Sequence, residues 1–248
     1  MLNRENIKCL VIETRLDQKL ADHELSCLER SMQLRKDQLV AYDLLTNPLE
    51  IGLEKAYQAV IIGGTGDFSV VNDRPIFYEA LLEFVRHLCA TSFPTLGLCY
   101  GHQILAQAMG GTVITETHER SETGTYLMTL TKEGRADKLL ADSPDSFYAQ
   151  QGHHDAVTSM PTPFIRLAYS QRCTWQAMNL KGKPIYGFQF HPELIRQDLV
   201  TRMTAYAHVY ANEPGKLEKI IESIKETDNQ VIMKNFIDKM VIPYWNSK

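Results

Sequence analysis

The stretch from Thr95 to Gly111, TLGLCYGHQILAQAMGG, constrains this chain more than any other. Phe93, Leu96 and Leu98 suit a buried strand, and Ile104, Leu105, Ala108 and Met109 recur at helical spacing. Cys99 stands at the junction, with Gly97 two residues before it and Gly101 two after. A sharp strand-to-helix turn strains its central residue and leaves room only for small neighbours. The side chain at such a tip is open to substrate, and the helix N-terminus beneath it favours negative charge. A cysteine there forms a thiolate more readily than a free one. The backbone N–H of Tyr100 is available to an oxyanion. A buried cysteine in a glycine-rich turn is the plainer reading of the motif alone, so its context must decide.

That context is an alternation of apolar runs with helical patterns. Lys8 to Glu13, Gln38 to Asp43 and Ala59 to Ile62 read as strands, the last ending in Gly63-Gly64. Leu20 to Leu34 and Pro75 to Ala90 read as helices. The pattern predicts an α/β fold: a flavodoxin-like open, mostly parallel sheet with helices on both faces. Beyond Gly111, Thr112 to Ile114, Thr125 to Leu130, Phe147 to Gln150, Ile165 to Tyr169 and Ile185 to Phe190 are strand-like. After Pro192 the chain turns helical. Leu217, Ile220, Ile221 and Ile224 keep helical spacing, as do Ile232, Met233, Phe236, Ile237 and Met240. One domain over 1–248 is expected, with a core at about 7–195 and a helical C-terminal extension at about 196–248.

A net charge of −4 without a basic run argues against a nucleic-acid surface. No window has the apolar length of a membrane helix, and the N-terminus enters a strand-like run without a signal-peptide stretch. The five cysteines (Cys9, Cys27, Cys89, Cys99, Cys173) are scattered, with no C-x-x-C pair. A reducing, cytoplasmic setting is expected.

A thiol nucleophile needs a base, and the base needs an orienting group. His23, His87, His118 and His208 sit in polar or helical surroundings, and His102 opens the helix after the elbow. His191 differs. It follows the strand-like IYGFQF and begins His191-Pro192-Glu193. The proline breaks the strand, and Glu193 can reach the imidazole to fix its tautomer. In isolation H-P-E is an ordinary polar strand end; with the cysteine elbow it is far more specific. Gly64-x-Gly66 begins a dinucleotide fingerprint but Ser69 replaces its third glycine. His153-His154 is an awkward metal pair, because neighbours on a strand face opposite ways.

Together, Gly97-Leu98-Cys99-Tyr100-Gly101-His102-Gln103 and Gly187-Phe188-Gln189-Phe190-His191-Pro192-Glu193 resemble the class I glutamine amidotransferases, above all the glutaminase part of GMP synthases and its stand-alone relatives. Ile61-Ile62-Gly63-Gly64-Thr65-Gly66 resembles the family's oxyanion loop, and Gln151 to Val157 its substrate-binding segment. The resemblance implies that Cys99 attacks the γ-carboxamide carbon of glutamine, that His191 is base and then acid, and that Glu193 orients it. It implies an oxyanion hole from the N–H groups of Gly64 and Tyr100. It places the α-amino and α-carboxylate end of the substrate near Gln103, His154 and Asp155. No metal or organic cofactor is implied. His154 stands where many relatives have glycine; if that position needs positive φ, histidine is among the more tolerated replacements, at the cost of reshaping the pocket.

No nucleotide loop of a synthetase domain is present. The resemblance therefore leaves two enzyme readings. One is a glutaminase subunit delivering ammonia to a separate synthetase; the other is a stand-alone γ-glutamyl hydrolase or peptidase. A non-catalytic, flavodoxin-like redox or binding protein is a third, opposed by His191 and Glu193. The tail from about Leu217 to Val241 is expected to complete the outer helical layer away from Cys99.

Overall fold

Residues 9–13 illustrate how the sheet is buried. Alternate side chains of a strand point to opposite faces. Cys9 and Val11 enter one apolar cluster and Leu10 and Ile12 another, all fully buried. Such continuous apolar runs belong to parallel strands covered on both sides. The computed structural model describes residues 1–115, 121–211 and 213–248. His118 lies outside them.

Strand β1 (Cys9–Glu13) is followed by helix α1 (Gln18–Met32), β2 (Leu39–Asp43), β3 (Ala59–Ile62), α2 (Tyr78–Thr91), β4 (Thr95–Leu98) and α3 (Tyr100–Ala108). Asp17 caps α1 through the Lys19 N–H at 2.8 Å. Then come β5 (Thr112–Thr115), β6 (Glu122–Leu130), the short α4 (Lys132–Ala136), β7 (Ser146–His153), β8 (Asp155–Ser159), β9 (Phe164–Tyr169), β10 (Ala177–Leu180) and β11 (Ile185–Phe188). The main sheet has the order β2-β1-β3-β4-β11-β10-β9-β6-β7, and β5 pairs with β8 separately. From β2 to β11 the neighbours are parallel. From β11 onward they are antiparallel. The predicted parallel, doubly covered sheet is present, with an antiparallel extension.

Three strands depart from the sequence reading. β8, paired with β5, is anticipated only within the Gln151 to Val157 segment. β10 went unpredicted, because AMNL carries no β-branched residue. Its conformation is set by pairing between β9 and β11. The expected strand Ile185 to Phe190 ends at Phe188. His191 N–H instead bonds Gln150 O at 2.9 Å, in an isolated bridge to β7.

The C-terminal region divides. Helices α5 (Arg196–Ala205), α6 (Ala207–Tyr210) and α7 (Lys216–Ser223) supply Leu199, Met203, Tyr206, Tyr210 and Ile220 to a third apolar cluster with Leu20 and Cys27 of α1. Helix α8 (Val231–Asn235) runs through a π-helical segment (Phe236–Val241) into α9 (Ile242–Asn246). Ile232, Met233, Phe236, Ile237 and Val241 are fully buried beside Leu28 and Met32 of α1. Trp245 donates to Gln58 O at 2.8 Å and packs edge-on against Phe93. Both precede strands, at the end of the sheet opposite Cys99. The tail from Val231 thus lies in the outer layer away from Cys99, whereas α7, with Leu217 and Ile220, packs with α5 and α6 near the cavity described below. Among the described residues no helix is long and apolar enough to cross a membrane.

Candidate active site

β4 and β11 are adjacent and parallel, with Phe188 opposite Leu98. Both strands end at the same edge, which brings the segment after β4 against the segment after β11. Cys99 is the first residue past β4, and its N–H donates to Phe188 O at 2.7 Å. Its backbone has φ 49° and ψ −96°, outside the regions ordinary for an L-residue. The flanking glycines are explained by close approach. A Cβ on Gly97 would lie 2.5 Å from Gly101 O, and one on Gly101 would overlap the Ile62 carbonyl. The strain at Cys99 is thus held in place by the packing of β3, β4 and α3 around the turn.

His191 Nδ1 lies 2.7 Å from Glu193 Oε1, and both side chains are buried. That leaves Nε2 for a second partner. His191 and Cys99 lie side by side against Gly64, on which a Cβ would be 3.2 Å from His191 Cε1 and 3.7 Å from Cys99 Cβ. Burial opposes the imidazolium, but the Glu193 carboxylate outweighs it and lifts the His191 pKa to about 9. Burial likewise opposes the Glu193 carboxylate, and His191 and Arg202 hold its pKa below the usual range. The result is a basic imidazole next to a thiol, the arrangement needed to generate a nucleophile. Burial pushes the Cys9, Cys27 and Cys89 thiols up to about 12, so these three stay protonated. His102 is a core residue, fully buried with its pKa lowered to about 3 by burial.

Cys99 opens onto a cavity of about 220 Å³ that is also lined by Thr65, Tyr100, Gln103, His154 and Asp155. His191 stands behind it on a smaller pocket, which shares Thr65, Gly152 and Tyr210 with the first. The expected substrate-binding residues are gathered here, but much of their polar capacity is committed within the protein. Gln103 Nε2 donates to Asp155 O at 2.8 Å and to Gln189 Oε1 at 3.1 Å. Gln189 Nε2 in turn faces Cys99 Sγ at 3.6 Å. The Asp155 carboxylate accepts from Ser69 Oγ at 2.7 Å and Thr115 Oγ1 at 2.6 Å. His154 lies in the bend between β7 and β8. It is not among the described non-glycine residues with positive φ, so histidine carries no such strain there. Its Nδ1 is 2.8 Å from Ser121 Oγ, and its ring stacks on Tyr210 at 5.1 Å.

One expected role is not met in this conformation. The Gly64 N–H donates to Glu24 Oε1 at 3.0 Å instead of facing the cavity. Glu24 belongs to a buried charge cluster absent from the sequence reading. Arg15 Nε donates to Glu24 Oε2 at 2.8 Å, and Arg202 Nη1 lies 3.3 Å from Glu193 Oε1. Glu24 carried a signal: it falls on the apolar stripe of α1 with Leu20, Cys27 and Leu28, where an unpaired charge is costly. Val209 and Tyr210, which wall the cavity from α6, also went unread. Elsewhere, His23, Cys27 and Asp198 converge. Arg30 also pairs with Asp198, at 2.5 Å, so these groups form an ion-pair cluster around one carboxylate.

The family model for class-I glutamine amidotransferases matches residues 24–211. Over 150 residues the chain is 35% identical to a glutamine-hydrolysing GMP synthase subunit of Methanocaldococcus jannaschii, covering 60% of this chain and 72% of that one. The corresponding subunit of Sulfurisphaera tokodaii is 36% identical over 151 residues, or 61% of this chain and 75% of that one. Among solved structures, a glutamine amidotransferase from Thermotoga maritima superposes with a TM-score of 0.71 at 20% identity, covering 95% of this chain and 98% of that one. One from Methylobacillus flagellatus gives 0.70 at 17%, covering 94% and 95%. At these identities the structural likeness is one of fold.

Proposed function

The chain belongs to the class-I glutamine amidotransferase family, and from that membership we propose that Cys99, His191 and Glu193 hydrolyse the γ-carboxamide of glutamine through a γ-glutamyl thioester. The observation that carries this reading is the Cys99 elbow, at φ 49°, set against a His191 whose far nitrogen is held by Glu193 at 2.7 Å.

In the proposed sequence His191 takes the Cys99 proton, and the thiolate attacks the γ-carbon. The tetrahedral oxyanion is stabilised by the Tyr100 N–H at the start of α3, with Gly64 as the second donor once its N–H is free. The imidazolium returns the proton to the departing ammonia. Water, deprotonated by His191, then cleaves the thioester and releases glutamate. Residues 1–248 act in this reading as one domain, with ammonia passing to a separate synthetase subunit. The two curated relatives, both GMP synthase subunits that hydrolyse glutamine, support that partner class.

A second reading, a γ-glutamyl hydrolase acting alone, is favoured by one observation. Val209 and Tyr210 of α6 close one side of the cavity from within the chain.

The test is glutamine hydrolysis by the purified chain and by Cys99→Ser, with trapping of the γ-glutamyl thioester by hydroxylamine. Activity lost in Cys99→Ser with melting unchanged is the expected result; a fully active Cys99→Ser protein would refute the mechanism. Stimulation by a synthetase favours the subunit reading, and full activity on other γ-glutamyl donors without one favours the hydrolase.

A further inference from the structure

The peptide between Gly63 and Gly64 is held at both polar ends. Its carbonyl accepts from the Gly101 N–H at 3.2 Å, and its N–H donates to Glu24 Oε1 at 3.0 Å. Gly64 nevertheless stands against the reacting pair. A Cβ on it would lie 3.2 Å from His191 Cε1 and 3.7 Å from Cys99 Cβ. Its backbone is therefore in position for an oxyanion, while its donor is spent on a carboxylate.

That carboxylate is fully buried and ionised. Burial opposes its charge, but Arg15, Arg202 and the Gly64 N–H outweigh it and hold its pKa at about 2. The bond to Gly64 is accordingly charge-assisted. Arg202 Nη2 stands 3.9 Å from Glu24 Oε1, and its Nη1 reaches Glu193. One guanidinium thus links the carboxylate that holds the loop to the carboxylate that orients His191. If Glu24 gave up the Gly64 N–H, its charge would remain paired with Arg15 and Arg202, so no buried ion would be stranded. Glycines at 63 and 64 leave this peptide free of the side-chain restraints that would oppose its reorientation.

We propose that Glu24 is a positioning residue that withholds the Gly64 N–H from the oxyanion, so that each turnover requires this N–H to leave Glu24. The proposal rests on the functional reading above and adds a restraint to it. In the held state Tyr100 offers the available oxyanion donor; in the released state Gly64 adds the second.

Two substitutions loosen the restraint in different ways. Glu24→Asp keeps the charge and shortens the reach to Gly64. Glu24→Gln keeps the reach and removes the charge. Both are expected to raise kcat for glutamine hydrolysis about tenfold while KM moves by less than about twofold, the scale of a lost hydrogen bond to a charged group. A residue that merely supports the fold would lower kcat or melting temperature and could not raise kcat. The Gly64 amide proton, followed by NMR in the full chain, should be shifted downfield in the parent protein and return upfield in Glu24→Asp. A kcat that is unchanged or lower in whichever variant folds, or a Gly64 amide without the downfield shift, overturns the proposal. Alkylation of Cys99 by a diazoketone analogue of glutamine separates the two levels. Capture with no gain in the variants overturns the restraint alone. Absence of both capture and hydrolysis in every form overturns the functional reading, and the restraint with it.

Discussion

Tyr210 and Cys99 meet on one carbonyl oxygen. Tyr210 Oη donates to Gly152 O at 2.8 Å, and Cys99 Sγ approaches the same atom at 3.8 Å. Gly152 lies near the end of β7 and Tyr210 ends α6, so this oxygen ties the cavity wall to the proposed nucleophile.

Tyr210→Phe removes the phenolic donor and leaves the ring on His154. The expected cost is about 1 kcal/mol of stability, the usual net worth of one hydrogen bond. With the wall loosened, KM for the γ-glutamyl donor should rise more than kcat falls. Chemical denaturation and steady-state kinetics measure the two effects. Unchanged KM with reduced kcat would instead assign Tyr210 to the chemical step.

Gly101→Ala should be among the most damaging single changes in the chain. The added methyl meets the Ile62 carbonyl, a backbone atom that cannot step aside. Overpacking of this kind costs about 3 kcal/mol or more. Poor soluble yield or a strongly lowered melting temperature is expected. Normal melting would show that the turn can relax, contrary to the reason given for its glycines.

The His191 pKa fixes a pH dependence of stability. The folded value, about 9, is raised above the ordinary 6.5. The folded state therefore holds this proton more tightly than the unfolded chain. Its contribution is complete below pH 6.5 and is lost as pH rises through about 9. The stability gap between the parent protein and His191→Gln should narrow over that window. A gap that widens with pH would mean that His191 is neutral in the folded state.

Truncation after Ala211 keeps Tyr206 and Tyr210 but removes Ile232, Met233, Phe236, Ile237 and Val241, all fully buried. At about 2 kcal/mol per buried side chain the loss is about 10 kcal/mol, comparable to the stability of a typical domain. The truncated chain should fail to fold cooperatively. A folded truncation with an altered donor preference would place the tail's influence in the substrate site.

Much of the proposed site was legible because its signals are local. The Cys99 elbow is written in five consecutive residues, and His191-Pro192-Glu193 in three. Their meeting followed once both were read as strand ends in a parallel sheet. The continuous apolar runs of residues 9–12 and 59–62 also announced burial on both faces. What the sequence by itself determined was therefore the turn chemistry, the strand edges and the identity of the reactive groups. Tertiary structure alone decided the rest. Arg15, Glu24 and Arg202 each read as an isolated charge, and their mutual neutralisation exists only once the segment after β1 packs together with α1 and α5. Gly64 was identifiable as a loop donor, but its hydrogen-bond partner was not. A buried N–H takes the strongest acceptor within reach, and which acceptor that is depends on residues brought close by the fold.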